Sequence, residues 1–179
     1  MTGAGPGSSP HSSAPPTLIL GIDPGTAVTG FGVVERGCDG RVSLVECGVI
    51  RTPAGRPLPR RIRDIYEGVM ELIERHRPAA MSVEDIYHGK NSRTALSLGH
   101  ARGAILLAAS LCDLPICEYT AVEIKKAVVG TGRATKDQVG FMVQKQLRLR
   151  AAPTPADAAD GVAAALCYCM AGALGRGSP

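Results

Sequence analysis

The chain of 179 residues is long enough for one domain of ordinary size and too short for two large ones. Hydrophobic residues make up 45% of the chain and charged residues 20%, which excludes an intrinsically disordered protein. The net charge of +4 is too small to identify a binding partner by itself.

The two ends of the chain differ in composition from the middle. Eleven of the first sixteen residues are Gly, Pro or Ser, and none is charged. We therefore expect a disordered tail over 1–16, one folded domain over 17–171 and a flexible end over 172–179. The tail lacks the basic start and apolar middle of a secretory signal, which indicates a cytoplasmic protein.

The first third of the chain predicts three strands. An apolar run over 18–23 ends in Asp-Pro-Gly, which is typical of a buried strand entering a turn. Two further strands, over 29–35 and 41–50, flank a turn over 36–40 that contains two glycines. Because these connections are short, the three strands should form an antiparallel meander.

The remaining elements alternate helix and strand before ending in helices. Apolar residues keep helical spacing from Leu58 until Pro78 ends the element. The later predicted elements are a strand over 79–86, a helix over 92–111, a strand over 115–119, and helices over 122–129, 135–149 and 155–170. The order βββαβαβ followed by helices predicts an α/β domain with a five-stranded mixed sheet flanked by helices.

The helix over 92–111 is apolar nearly all round in its second half, so we expect the sheet or a partner subunit to bury it. Its longest strongly apolar run, over 104–111, is far shorter than the roughly 20 residues of a membrane helix. The sequence therefore predicts no membrane span.

Four carboxylates occupy positions where ligand sites form. Asp23 ends the first predicted strand and Glu84 lies near the end of the fourth, and ligands gather at strand ends in such sheets. Asp157 and Asp160 are three residues apart, which places them on one face of the last helix. The four acids converge if that helix packs beside the ends of strands one and four.

Converging carboxylates repel one another and are tolerated chiefly where a divalent cation neutralises them. Oxygen ligands select a hard ion such as Mg²⁺ or Mn²⁺. Two such ions about 4 Å apart can activate water and stabilise the leaving oxygen of a phosphodiester. The four acids therefore indicate phosphodiester chemistry.

Each acid also has a structural alternative. Asp23 suits a turn, Asp157 suits a capping box, and Asp160 suits the positive end of a helix. Glu84 suits the solvated rim of a strand. The four acids together are more informative than any one of them.

The basic and aromatic residues are compatible with a polyanionic partner. If four of the sixteen acids form one site, twelve acids remain against twenty Lys and Arg residues. Tyr87 is followed by a polar segment over 88–93, so its ring is a candidate for stacking on an unpaired base. The alternatives are solvated helix faces for the basic groups and packing on the sheet rim for Tyr87.

Taken together, these motifs resemble the RuvC family of bacterial Holliday junction resolvases over about 18–169. The motifs that carry the resemblance are Leu20-Gly-Ile-Asp-Pro-Gly25, Thr29-Gly-Phe-Gly-Val33, Glu84, Tyr87, Asn91, Ala101-Arg-Gly103, Lys125-Lys-Ala-Val-Val-Gly-Thr-Gly132, Lys136 and Asp157-Ala-Ala-Asp-Gly161. They occur in the order and with the spacing of the family.

The resemblance implies a ribonuclease H-like fold and an endonuclease that makes paired nicks in four-way DNA junctions during recombination and repair. It implies that Asp23, Glu84, Asp157 and Asp160 are the catalytic acids and bind Mg²⁺, two ions per subunit, with Mn²⁺ as a substitute. Some family members have His at the third of these positions.

The resemblance also implies the residues that bind DNA. Lys125 and Lys136 align with basic residues near the scissile phosphate, and Tyr87 takes the place of a Phe at the junction centre. We expect further DNA contacts from Lys90, Arg93 and Arg133.

A homodimer is expected because a four-way junction presents two equivalent strands. The candidate interface is the helix over 92–111, in which Gly99, Ala101, Gly103 and Ala104 permit close approach, and the alternative is burial in the monomer core. Other expected partners are junction DNA and the RuvA and RuvB branch-migration proteins, and the expected location is the cytoplasm, on the nucleoid.

Three other functions remain open from the residues alone. The first is a phosphotransferase of the actin-like and sugar-kinase group, whose phosphate loop resembles residues 21–26, although one domain is too few to enclose a nucleotide. The second is a ribonuclease H-like nuclease that acts on RNA, and the third is a junction-binding protein without catalytic activity.

Overall fold

The computed structural model describes residues 15–85 and 92–173, with side chains over 15–85 and 94–171. Most of the predicted tail over 1–16 and end over 172–179 lies outside the described residues. So do Tyr87, Lys90 and the side chain of Arg93.

The described elements follow the predicted order. They are β1 (Thr17–Asp23), β2 (Val28–Arg36), β3 (Val42–Arg51), α1 (Leu58–His76), β4 (Ala80–Asp85), α2 (Ser92–Leu111), β5 (Ile116–Thr120), α3 (Ala121–Val129), α4 (Lys136–Gln146) and α5 (Ala156–Ala173). The ends of most elements differ from the prediction by one or two residues, and α4 ends three residues early.

The five strands form one mixed sheet in the order β3-β2-β1-β4-β5. The first three strands are an antiparallel meander, as predicted, while β4 pairs parallel with β1 and β5 pairs parallel with β4. The carboxyl ends of β1 and β4 therefore meet at one edge of the sheet. The expected α/β fold with a five-stranded mixed sheet is confirmed.

Helices cover both faces of the sheet and bury a separate core on each. Alternate residues of β1 divide between the cores, because Ile19 packs with α3, α4 and α5 whereas Leu20 and Ile22 pack with α1 and α2. A domain built in this way has three layers, with the strand ends open to solvent between them.

Two helix starts follow directly from the sequence. Thr120 and Glu123 form a capping box at α3, and Thr135 and Gln138 form the predicted one at α4. These caps satisfy backbone N–H groups of the first turn and fix where each helix begins, which places Lys136 in the first turn of α4.

Helix α2 has one face in the core and one face in solvent. Ala101 and Ala104 are buried in the monomer, so their expected place in a subunit interface is wrong. Gly99 and Gly103 lie on the other side, where no atom of the described residues outside the helix comes within 4 Å of an ideal Cβ. Burial in the monomer core, one expectation for this helix, therefore applies to the face with Ala101 and Ala104. A subunit interface, the other expectation, applies to the face with Gly99 and Gly103.

Residues Thr94–Leu111 of α2 are long and apolar enough to cross a membrane by length and composition, with a mean hydropathy of 1.2. The prediction that the chain has no membrane span was based only on the strongly apolar run over 104–111. A single helix of this kind is weak evidence for a span, and α2, with 28% of this window buried, packs against α1.

Candidate active site

Three of the four predicted acids meet at the end of β1. One carboxylate oxygen from each of Asp23, Asp157 and Asp160 lies within 4.8 Å of the others. Glu84, at the end of β4, lies outside this group of three but lines the same pocket as Asp23 and Asp160. The structure thus brings the predicted acids to one site, with Glu84 on its β4 side.

Close packing of α5 on the sheet produces this convergence. An ideal Cβ on Gly30 of β2 would lie 1.9 Å from the backbone oxygen of Asp157, and one on Gly161 would lie 2.5 Å from Cα of Phe31. Side chains at these positions would push the helix away from the sheet. Because glycine occupies both, the first turns of α5 reach the end of β1.

A buried hydrogen bond fixes β4 against the same helix. The Ser82 hydroxyl donates to the backbone oxygen of Ala164 at 2.6 Å. Side chains alternate along a strand, so Glu84 lies on the same face as Ser82, towards α5. The position of α5 therefore governs the acids of both strands.

Burial and mutual repulsion raise the pKa values of the inner acids. Burial, with Glu84 and Asp160 as further causes, raises the pKa of Asp23 to about 7 from the usual 3.8. Burial and then Asp160 raise the pKa of Glu84. The site is therefore short of positive charge, and a bound cation would relieve the repulsion.

Lys136 supplies part of the positive charge that the four carboxylates require. Its Nζ donates to Oδ2 of Asp160 at 2.6 Å and lies 4.0 Å from Oδ1 of Asp157. The hydrogen bond to Asp160 is the largest cause of the raised pKa of Lys136. Lys125 lines the same pocket, and its positive charge partly offsets the rise in the pKa of Glu84. Both predicted lysines are thus at the site.

The other predicted DNA contacts are less well defined. Arg133 is exposed in the loop between α3 and α4. Arg93 lies in the first turn of α2, and its side chain, like Tyr87 and Lys90, is outside the described part of the chain.

Arg61 is a residue near the site that sequence reasoning did not single out. Its Nη2 donates to the backbone oxygen of Thr26 at 2.5 Å, and its Nε donates to Oγ1 of Thr52 at 3.0 Å. Thr52, which is buried, donates to the same Thr26 oxygen. Arg61 therefore ties the loop after Asp23 to the first turn of α1.

Arg102 of α2 belongs to a motif named in the sequence analysis, but its contacts were not predicted. Its guanidinium contacts Glu118 of β5 and lies 3.4 Å from Oδ1 of Asp85, the neighbour of Glu84. The Arg102 side chain is only 19% exposed. It joins α2 to the ends of β4 and β5, and because its partners are distant in sequence, no local pattern indicates the contact.

Comparison with known proteins decides between the open functions. The family model described as crossover junction endodeoxyribonuclease RuvC matches residues 19–168. The chain belongs to the RuvC family. It is therefore an endonuclease of this family, whose members are metal-dependent, and the acidic cluster is its candidate metal site.

Two curated family members have about half of their residues in common with this chain. The RuvC of Pelotomaculum thermopropionicum is 50% identical over 151 residues, which are 84% of this chain and 92% of that protein. The RuvC of Moorella thermoacetica is 53% identical over 152 residues, 84% of this chain and 90% of the relative.

Solved structures share the fold. The Thermus thermophilus RuvC structure has a TM-score of 0.82 and 34% identity over 90% of this chain and 99% of that one. A second structure, T. thermophilus RuvC in complex with Holliday junction substrate, has a TM-score of 0.82 and 31% identity, with the same coverage. A yeast mitochondrial Holliday junction resolvase, at 13% identity and a TM-score of 0.62, shares the fold alone.

Proposed function

We propose that this chain resolves Holliday junctions by metal-dependent, paired nicks in opposed strands during recombination and repair. The observation that carries the proposal is the convergence of Asp23, Asp157 and Asp160 within 4.8 Å, with Glu84 in the same pocket, in a chain of the RuvC family. The complex of the Thermus relative with junction DNA supports the substrate.

The donor set fits a hard divalent cation. All four candidate ligands are carboxylates, and burial, followed by repulsion from Glu84 and Asp160, raises the pKa of Asp23 to about 7 although Lys136 lies nearby. Oxygen ligands of this kind favour Mg²⁺, with Mn²⁺ as a substitute. We assign Asp23, Glu84, Asp157 and Asp160 as ligands of two Mg²⁺ ions per subunit.

Bound Mg²⁺ would supply the acidity that activates water and the positive charge that stabilises the leaving 3′ oxygen. The chain's own contribution is to hold the four carboxylates on three rigid elements, β1, β4 and α5. Lys136 exchanges its hydrogen bond to Asp160 for one to the scissile phosphate, and Lys125 neutralises the same phosphate from α3.

Further basic and aromatic residues would position the junction. We assign Lys90, Arg93 and Arg133 to contacts with the DNA backbone, which bind without reading sequence. In the sequence, Tyr87 comes two residues after the end of β4, and we assign its ring to stacking on an unpaired base at the junction centre.

The exposed face of α2 supports a homodimer. Leu96, Leu107 and Leu111 are 65%, 54% and 63% exposed and recur at helical spacing. Gly99 and Gly103 lie between them with open space above each. An apolar stripe with small residues at its centre suits close packing of the same helix from a second subunit, related by two-fold symmetry.

Two such subunits match the two strands that a junction presents for cleavage. Docking to RuvA and RuvB is part of the same proposal. A soluble enzyme that acts on DNA works in the cytoplasm, and we place this one on the nucleoid.

Cleavage of a synthetic mobile four-way junction, run beside a linear duplex of the same sequence, tests the proposal. We expect paired nicks at the junction with Mg²⁺ and none without it. Equal cutting of the duplex would indicate a less selective nuclease, and cutting of folded RNA but not of the junction would favour the RNA alternative. Binding without cutting would indicate a non-catalytic junction-binding protein.

A further inference from the structure

A second groove adjoins the active site. It has a volume of about 330 Å³ and runs between α4 and the segment that leads into α5. Its walls include Lys136, Gly140, Phe141, Gln144, Pro153 and Thr154. None of the assigned metal ligands lines it.

The groove lies next to the catalytic pocket, and the two cavities have one lining residue in common. Lys136 lines both cavities, so a strand whose phosphate lies at Lys136 can follow the groove along α4. Gly140 lies one turn further along the same helix face and also lines the groove.

The far wall of the groove is held in place by the chain itself. The Gln144 Nε2 donates to the backbone oxygens of Leu149 and Arg150, at 3.4 and 3.1 Å. These bonds fix the segment that follows α4, so the groove has a defined width before any ligand arrives.

Phe141 presents an aromatic ring to this groove. It is 53% exposed although it lies on a helix whose Val139 and Val143 are buried, so the monomer core does not use it. The Nζ of Lys145 lies 5.3 Å from the centre of the ring. An exposed ring beside a lysine combines a stacking surface for a base with a positive charge for the neighbouring phosphate.

We propose that Phe141 stacks on a base of the cleaved strand and that Lys145 binds the phosphate beside it, in a nucleotide subsite next to the catalytic pocket. The proposal deepens the proposed junction cleavage and rests on it. It commits to single-stranded or locally unpaired DNA as the occupant, because Lys136 lines both the groove and the catalytic pocket and the Phe141 ring, with Lys145 beside it, matches a base and its phosphate.

The absence of tryptophan from the chain gives a direct test, because Phe141→Trp creates the only tryptophan, whose emission can be excited at a wavelength that the four tyrosines do not absorb. We expect its emission to be quenched when a four-way junction binds in metal-free buffer, where no cleavage occurs. Val45→Trp, at a 47% exposed site on β3, is the matched control, and its emission should not change. Unchanged emission of Phe141→Trp in the presence of bound junction would overturn the proposal and favour a protein partner for the ring.

Affinity gives the second measurement. Phe141→Ala should weaken junction binding by between about 5- and 150-fold, the range seen when a stacked aromatic is removed. Phe141→Tyr should keep most of the affinity, and Val45→Ala should bind as the unmodified chain does. Equal binding by Phe141→Ala and Val45→Ala would overturn the subsite.

Measurements on the unmodified chain distinguish a failure of the subsite proposal from a failure of the proposed junction cleavage. If it binds and cleaves junctions while Phe141→Ala does so equally well, only the subsite is wrong. If the unmodified chain binds no junction, the proposed function fails first, and the subsite fails with it.

Discussion

Helices α5 and α2 are both rich in small apolar residues, yet they have different surroundings in this fold. Helix α5 is covered by the sheet, α3 and α4, and its residues 161–165 are fully buried. Among the described residues, helix α2 is covered on one face, and three leucines on the other face are exposed. Two of the four proposed catalytic acids, Asp157 and Asp160, lie on the covered helix, and the proposed pairing surface lies on the exposed face of α2.

The largest expected effect is on the chemistry at α5. Asp157→Asn removes a proposed metal ligand but keeps the side-chain size, so cleavage should fall by more than about 100-fold, since even the loss of outer-shell partners costs 10- to 100-fold. Junction binding should be kept or tightened because a negative charge near phosphate is lost. Cleavage and gel-shift assays measure the two effects.

The matched control is Asp39→Asn, in the exposed turn between β2 and β3. It should cleave normally. Retained cleavage by Asp157→Asn would remove Asp157 from the ligand set.

The close packing of α5 on the sheet can be disrupted without replacing any of the four acids. Gly161→Ala places a methyl group 2.5 Å from Cα of Phe31, which forces the helix off the sheet. We expect a loss of about 1–3 kcal/mol or more of unfolding free energy, and weaker metal binding in any folded fraction.

Gly55→Ala serves as the control, because open space surrounds that position. Thermal unfolding and calorimetric titration with Mg²⁺ separate stability from metal affinity. Gly161→Ala with unchanged stability would contradict the close packing.

The proposed role of the exposed face of α2 in dimer formation can be tested by introducing a charge there. Leu107→Asp places a carboxylate in the proposed interface, so we expect the dimer to dissociate at least tenfold more readily, measured by sedimentation. Val45→Asp, on β3, should leave assembly unchanged. A monomeric unmodified chain at high concentration would contradict the pairing role.

The contact of Arg102 on α2 with the ends of β4 and β5 should make a moderate contribution to the free energy of unfolding. Arg102→Met leaves Asp85 and Glu118 without this cation and should cost about 1–3 kcal/mol. Arg63→Met removes an exposed pair with Glu67 and should cost less than about 0.5 kcal/mol. Equal losses in urea unfolding would show that Arg102 acts only as a surface charge.

A further expected effect concerns pH and Asp23. Its pKa is about 7 in the fold and near 3.8 in the unfolded chain, so the folded state binds more protons between these values. The metal-free protein should therefore lose stability as pH rises from about 4 to 7. Asp23→Asn should flatten this decline in a thermal unfolding series, and an unchanged slope would contradict the raised pKa.

The sequence could predict those parts of the site that have local signals. Asp23 and Glu84 end buried strands, and Asp157 and Asp160 share a helix face, so their convergence was predictable and three of the four lie within 4.8 Å. That Glu84 lies to one side depends on the register of β4 against β1, which no local pattern reports.

Other features depend on contacts between distant segments. Helix α2 is apolar on several sides, so periodicity could not show that Ala101 faces the core while Gly103 faces solvent. The bond between Arg61 and the Thr26 carbonyl spans 35 residues. Phe141 lies in an ordinary helical pattern, and only the structure shows that its ring is exposed beside the active site.

The most direct test of the central claim is to locate the metal. Crystals grown with Mn²⁺ and measured at its absorption edge should show anomalous peaks bounded by Asp23, Glu84, Asp157 and Asp160, with Lys136 released from Asp160. A chain that cleaves junctions in Mn²⁺ but shows no peak among these four carboxylates would contradict the account.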